Sequence, residues 1–288
     1  MWEEIERHIQ RAGGVPFRLG GRRSVGGGSI NQAFCIDDKD SRQQYFVKLN
    51  QASQVDMFEA EALGLQELAE ARSVRIPQVV CWGAAEGSSY IVLEWIESGR
   101  GSASGWMNLG RQLALQHRTT SAKGFGWDRN NTIGSTPQPN PWTRDWAAFF
   151  TEHRIDYQLQ LARERGTHFP QLKRLFAALP KLLGHAPAAS LVHGDLWSGN
   201  VGFSVLGEPI IFDPAVYWGD REVDLAMTEL FGGFPYGFYE GYREVWPLEP
   251  GYAERKVVYN LYHILNHFNL FGGGYRLQAE QMIQQIIR

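Results

Sequence analysis

Cysteine is scarce: Cys35 and Cys81 are the only two in 288 residues. Thiols so far apart supply neither a close-spaced metal pair nor a disulfide framework, and a reducing cytoplasm suits them. Long apolar runs are missing as well. Stretches such as Tyr90-Ile91-Val92-Leu93 fall far short of the roughly 20 apolar residues that span a bilayer. Positive charge is not in excess either. Against 31 Asp and Glu stand 28 Lys and Arg, a formal charge of −3, which argues against binding to a nucleic-acid backbone. No cationic segment followed by an apolar one opens the chain. Met1 to Arg7 reads as an amphipathic helix, so secretion is not expected. These absences leave a cytoplasmic globular protein, expected to be a monomer, without nucleic-acid or membrane partners.

What is plentiful is aromatic: 13% of the chain is Phe, Trp or Tyr, with ten Trp. Most large rings belong in a core. Trp197 and Trp218 are candidate platforms for a planar or sugar ligand because of the polar, chemistry-bearing segments around them.

The first ninety or so residues read as strands with one helix. Tyr45 to Leu49, Val79 to Ala84 and Ser89 to Leu93 are β-prone, the last two joined by a turn at Glu86-Gly87-Ser88. A helix is expected from Asp56, as its N-cap, to Ala71, and Pro77 forbids its continuation. After Leu93 the pattern becomes helical, near 106–118, 142–164, 171–183, 223–230, 253–271 and 277–287. Residues 128–141 hold three prolines and read as a long ordered loop. The expected fold is α+β and bilobal: a small β-rich lobe over residues 1–93, then a hinge and a mostly helical lobe over 94–288.

The strongest chemical signal is His193-Gly194-Asp195-Leu196-Trp197-Ser198-Gly199-Asn200. An Asp followed five positions later by Asn is the spacing of a kinase catalytic loop. Asp195 would accept a hydrogen bond from an attacking hydroxyl while Asn200 holds a Mg²⁺ beyond the transferring phosphoryl. Asp213, after the apolar run Ile210-Ile211-Phe212, stands where a second metal-binding carboxylate belongs; hard oxygen ligands suit Mg²⁺. Upstream, Lys48 ends a β-prone run, where it would neutralise the phosphates of ATP and need a carboxylate partner. Glu59 and Glu61 both qualify by distance along the chain. Glu61 shares a helical face with Met57, Leu65 and Leu68, whereas Glu59 lies with Gln66 and Glu67 on the face expected to be wet, so Glu61 is the expected partner. Gly26-Gly27-Gly28-Ser29 precedes Lys48 and reads as a loop over the phosphates, since glycine lets backbone N–H groups approach them closely. Where the lobes meet, the backbone C=O of Glu94 and N–H of Ile96 are expected to read the adenine edge.

These residues resemble the fructosamine kinase (ketosamine-3-kinase) family, relatives of aminoglycoside and choline kinases. The likeness runs almost end to end, through Asn131 to Asn140, the catalytic loop, Phe212 to Ala215, Tyr217 to Met227 and Leu270 to Gly273. It implies a protein-kinase-like fold and ATP- and Mg²⁺-dependent phosphorylation of O3 of ketosamines, either small molecules or sugar adducts of protein lysines. Such a phosphate destabilises the adduct, so the implied role is deglycation. Asp224 stands where relatives keep a carboxylate bracing the catalytic region. Where some members carry a redox-sensitive Cys in the Gly-rich loop, this chain has Ser29, and redox control through that loop is not expected; Cys35 lies further on, in an expected strand. Choline, a sugar or an aminoglycoside remain alternative acceptors. A nucleotide-binding pseudokinase is disfavoured because Lys48, Glu61, Asp195, Asn200 and Asp213 are all present.

Overall fold

Strand side chains in the first hundred residues alternate between two faces of a sheet, and a different helix covers each face. The computed structural model describes residues 1–14, 16–26 and 30–288, so the expected loop residues Gly27, Gly28 and Ser29 lie outside the described residues. Helix α1 (Trp2–Gly13) is followed by β1 (Leu19–Ser24), β2 (Gln32–Asp38) and β3 (Gln44–Gln51). Helix α2 (Val55–Glu70), β4 (Val79–Ala85) and β5 (Ser88–Glu94) come next. The five strands form one antiparallel sheet, β1-β2-β3-β5-β4. Ile5 and Ile9 of α1 pack with Val47, Leu49, Tyr90 and Val92. Ile91 and Leu93 join the cluster containing Phe58, Leu65 and Leu68 of α2. Lys48 lies between Val47 and Leu49 and opposite Ile91, so the pleat turns it toward α2.

The expected strands at 45–49, 79–84 and 89–93 are all present within β3, β4 and β5. Asp56 is not the cap of α2. The helix begins earlier, after a 3₁₀ turn over Ala52–Gln54, with Gln54 as N-cap and no side-chain capping bond. Asp56 sits in the first turn, where a carboxylate complements the positive end of the helix dipole.

Beyond Glu94 come α3 (Ala103–His117), the hairpin of β6 (Asn131–Ile133) and β7 (Thr136–Gln138), α4 (Trp146–Phe150), α5 (Tyr157–Glu164) and α6 (Leu172–Leu183). Short strands follow, β8 (Ser190–Val192), β9 (Val201–Phe203), β10 (Pro209–Ile211) and β11 (Tyr217–Gly219). Strand β11 pairs with β8, and β10 with β9. The chain ends in α7 (Glu222–Leu230), α8 (Tyr236–Val245), α9 (Tyr252–Phe271) and α10 (Tyr275–Ile286). Among the described residues, no helix is long and apolar enough to cross a membrane.

Three features depart from the sequence-based expectation. The proline-rich loop contains the β6–β7 hairpin, where Pro137 sits opposite Thr132 in a two-stranded ladder that tolerates a residue without an N–H. The single helix expected over 142–164 starts at Trp146, after Asp145 accepts from the Ala148 N–H (2.9 Å). It is then interrupted by a π-helical stretch, Thr151–Asp156. Helix α8, which packs on α3, was not expected because its sequence, Tyr236-Gly237-Phe238-Tyr239-Glu240-Gly241, mixes helix-weakening glycine with aromatics.

Both cysteines are free and buried, and burial raises each thiol, Cys81 to about 12. A disulfide reagent applied to the native protein at pH 8 should therefore modify neither, and unfolding should release both. Rapid modification of either thiol in the folded protein would contradict this burial.

Candidate active site

The segment after β8 is positioned by one buried carboxylate. Asp224 on α7 accepts the backbone N–H of His193 (2.7 Å) and of Gly194 (2.8 Å), and its Oδ2 also meets His117 Nε2 (3.1 Å). Burial alone would raise this carboxyl, but the His117 bond and the other donors hold it below its ordinary range. Gly194 adopts φ +81°, and a Cβ there would fall 2.1 Å from the Ala215 carbonyl oxygen, so no side chain fits. The Ala215 N–H donates to the His193 carbonyl (2.8 Å), and His193 Nε2 meets the Phe212 carbonyl (2.9 Å). These bonds tie the loop carrying Asp195 to the loop carrying Asp213.

Asn200 Nδ2 donates to the Asp195 carbonyl (2.8 Å) and approaches Asp195 Oδ2 (3.3 Å), which leaves its amide oxygen as an acceptor. Asp213 follows β10 with φ +56°, a left-handed conformation that a non-glycine residue adopts at some cost in strain. Its Oδ1 lies 2.5 Å from Lys48 Nζ, and Glu61 Oε1 lies 2.5 Å away on another side. Lys48 is 6% exposed. Burial opposes its charge, but Asp213 and Glu61 outweigh burial and raise its pKa. Asp195 is pushed up to about 7, first by burial and then by the Asp213 carboxylate, while the Asn200 bond works the other way. A carboxylate near neutrality is poised to take a proton at physiological pH.

Two cavities meet at this cluster. One, of about 490 Å³, runs from Gly26, Phe46 and Lys48 to Glu94, Trp95 and Ile96 at the junction of the lobes. The Glu94 carboxylate is engaged by Arg75 and by the Gln78 N–H (3.1 Å), and among the described residues the Ile96 N–H meets no acceptor. The other, of about 240 Å³, is bounded by Glu61, Asn131, Asp195, Asn266, His267 and Phe271. Both are lined by Asn31, Lys48, Trp197, Asn200 and Asp213.

The structure thus brings Gly26, Lys48, Glu61, Glu94, Ile96, Asp195, Trp197, Asn200 and Asp213 to one cleft. Trp197 is 38% exposed beside it. Trp218 is a correction: it lines neither cavity, and its indole N–H donates to Glu67 (3.1 Å) on α2. Glu67 is not on a wet face either, being half-buried against the indoles of Trp127 and Trp218, whereas the Glu59 side chain, 41% exposed, pairs with Arg129 (3.1 Å). Sequence reasoning did not assign Asn131, Asn266 or His267, although Asn131 opens one of the distinctive blocks. Asn131 Nδ2 donates to the Val216 carbonyl (2.8 Å), while its Oδ1 accepts from Gln138 (2.8 Å) and Asn140 (2.9 Å). Asn140 Oδ1 in turn accepts from Arg154 (2.6 Å), which the π-helical stretch carries into the core. The 131–140 block is therefore a buried polar brace beside the smaller cavity.

Another distinctive block, Trp218 to Glu222, cross-links the larger lobe. His185, Asp220 and Glu222 bring ligand atoms within 4.8 Å of one another. Both carboxylates are already committed, however. Asp220 meets His185 (2.8 Å) and Tyr259 (2.5 Å), and Glu222 forms a bidentate pair with Arg255 (2.7 and 2.8 Å). These bonds join the end of β11 to α9.

Comparison with known proteins finds relatives along the whole chain. A family profile described as fructosamine kinase matches residues 1–288. A probable ketoamine kinase of Synechocystis is 56% identical over 288 residues, covering 100% of this chain and 97% of that protein. The crystal structure of a candidate fructosamine-3-kinase from Haemophilus somnus superposes with a TM-score of 0.93 at 34% identity, covering 100% of this chain and 98% of the other. A thermostable aminoglycoside phosphotransferase, APH(4)-Ia, shares the fold at 17% identity with a TM-score of 0.65, covering 99% of this chain and 98% of that one.

A carboxyl-carbon NMR titration of the free protein should find Asp195 near pH 7, against about 3.9 for an ordinary Asp. Asp213→Asn removes a neighbouring negative charge, which eases ionisation, so the Asp195 midpoint should move to lower pH. A wild-type midpoint near 4, or no movement in the variant, would contradict the electrostatics described.

Proposed function

This chain belongs to the fructosamine kinase family, and we propose that it transfers the γ-phosphoryl group of ATP to O3 of a ketosamine. The observation that carries the reading is the meeting of two cavities at Lys48, Asn200 and Asp213, with Asp195 in the wall of the smaller one. A transferase of this kind needs a nucleotide and a hydroxyl compound on opposite sides of one reacting phosphorus. The larger cavity reaches the lobe junction and suits the nucleotide; the smaller one, with Asp195 in its wall, suits the acceptor.

In this reading the small lobe, residues 1–93, holds the nucleotide and residues 94–288 supply the catalytic loop and the acceptor side. The Glu94 carbonyl and Ile96 N–H take the adenine edge. Lys48, fixed by Glu61, neutralises phosphate charge, and Gly26, in the wall of the larger cavity, offers its backbone to the phosphates. The Asp213 carboxylate and the free amide oxygen of Asn200 are hard oxygen donors that fit Mg²⁺. Held there, the ion supplies positive charge to the transferring phosphoryl. Asp195 orients the acceptor hydroxyl and takes its proton as the new P–O bond forms, and the bond from phosphorus to the ADP leaving oxygen breaks. Trp197 offers its exposed face to the sugar. Phosphorylation at O3 destabilises the sugar–amine adduct, which makes protein or amino-acid deglycation the biological role. We further propose that the protein works as a cytoplasmic monomer, where a reducing environment suits its free thiols.

The test is phosphate incorporation from labelled ATP with Mg²⁺ across ribose-, erythrose- and glucose-derived ketosamines, with choline and an aminoglycoside as competing acceptors. Transfer to at least one ketosamine, located on O3 by NMR of the product, is expected. Transfer to choline or the aminoglycoside but to no ketosamine would overturn the assignment.

A further inference from the structure

Glu61 fixes Lys48, and Glu61 rides on α2, so the orientation of that helix decides whether the cleft is ready to bind phosphate. Phe58, Leu65 and Leu68 pack one side of α2 on the sheet, and contacts on its outer side fix its rotation about that packed face. Besides its packing against β6, three contacts among the described residues tie α2 to the larger lobe. Glu59 pairs with Arg129 (3.1 Å). Gly64 lets the helix backbone close on the segment after Asp213, since a Cβ there would lie 3.2 Å from Val216 Cγ2 and 3.8 Å from the Trp127 ring. The third contact is Glu67. One of its oxygens accepts from Trp127 Nε1 and the other from Trp218 Nε1 (3.1 Å).

The two indoles stand on a firm platform. Gly126, next to Trp127, exchanges backbone hydrogen bonds with Trp218 in both directions (3.0 and 2.8 Å). That platform continues along β11, which follows directly from Asp213, Pro214, Ala215 and Val216. Glu67 is half-buried and, among the described residues, has no cationic partner; both its donors are neutral. The two indole N–H groups reach different oxygens of Glu67, an arrangement that an ionised carboxylate offers and that a side-chain amide, with one oxygen and one NH₂, does not. Burial raises the Glu67 carboxyl, and the two indole bonds work against that rise.

We propose that Glu67 is a positioning residue that staples α2 to the platform of Trp127 and Trp218, so that Glu61 stays on Lys48 before any nucleotide arrives. The inference rests on the reading of Lys48 and Glu61 as the phosphate-side pair, and it assigns a purpose to Trp218 that contact with substrate does not. Swinging α2 outward would break the bonds of Glu67 to buried Trp127 and half-buried Trp218, a cost the fold avoids by keeping the helix in place.

The experiment combines Glu67→Gln, Glu61→Gln and the double variant with hydrogen exchange of α2. Glu67→Gln should lower kcat about ten-fold through the loss of one charge-assisted bond and a donor facing a donor. The effect of Glu61→Gln should shrink several-fold when Glu67 is already changed, because both act on the same pair. Amides of α2 should exchange faster in Glu67→Gln, while those of β2 and β3 keep their protection. Trp218→Phe, which keeps the ring and removes one donor, should give the same pattern more weakly and covers the case in which Glu67→Gln fails to fold. Leu179→Ala, in the remote core of α6, should lower Tm with its effect on kcat simply multiplying that of Glu61→Gln. The staple is overturned if α2 protection is unchanged in Glu67→Gln, or if its effect on kcat multiplies that of Glu61→Gln as the Leu179 control does. The exchange measurement needs no acceptor, so it decides the staple even if the acceptor is not a ketosamine.

Discussion

A lysine ammonium buried to 6% exposure is the constraint around which the cleft is arranged. Removing such a charge from water costs several kcal/mol unless it is paired, and stripping one partner from a buried pair typically costs about 3–5 kcal/mol. Lys48 meets the requirement with two carboxylates from distant parts of the chain, Glu61 on α2 and Asp213 after β10. Satisfying the cation therefore also brings the small lobe and the catalytic segment into register. Asp213 accepts a left-handed backbone to reach it, and its charge in turn helps lift Asp195 toward neutrality. One ion triad sets the position of the metal-ligand candidate and adds to the effect of burial in raising the proton affinity of Asp195.

A second buried carboxylate does the corresponding work behind the catalytic loop. Asp224 gathers two consecutive backbone N–H groups and His117, and His117 continues through Tyr242 (2.8 Å) on α8. The loop carrying Asp195 is thereby referenced to α3, α7 and α8 rather than to its own flanking strands, which are only three residues each. Rigid helices hold a short loop more accurately than short strands would. The buried Asn131–Gln138–Asn140–Arg154 brace holds the wall of the smaller cavity in the same way, and its hydrogen bonds use the amides of that block.

Much of the cleft was legible in the sequence because each residue there sits in a simple period or spacing. Lys48 alternates with buried Val47 and Leu49, Glu61 shares a helical face with Met57 and Leu65, and Asp195 and Asn200 keep a five-residue interval. Where reasoning failed, the partner was remote or the element had more than two environments. The Trp218 indole is held by a residue 151 positions away, and no local pattern connects them. Glu67 was placed on a wet face because a helical wheel offers only a buried side and a solvent side. In the structure α2 has the sheet on one side and the larger lobe on another. The β6–β7 hairpin was hidden by its prolines, and the π-helical stretch by an otherwise continuous helical pattern whose interruption serves to bury Arg154. Helix α8 was hidden by glycines that its packing on α3 makes tolerable.

The proposed transfer turns on Asp195 as the group that acts on the acceptor hydroxyl. The direct measurement is kcat and the ATP dissociation constant of Asp195→Asn side by side. Losing a base that acts in the transition state should lower kcat by about 10²–10⁴-fold, while ATP affinity stays within about three-fold of wild type. Turnover close to wild type, or a collapse of ATP binding that accounts for the whole loss, would contradict it.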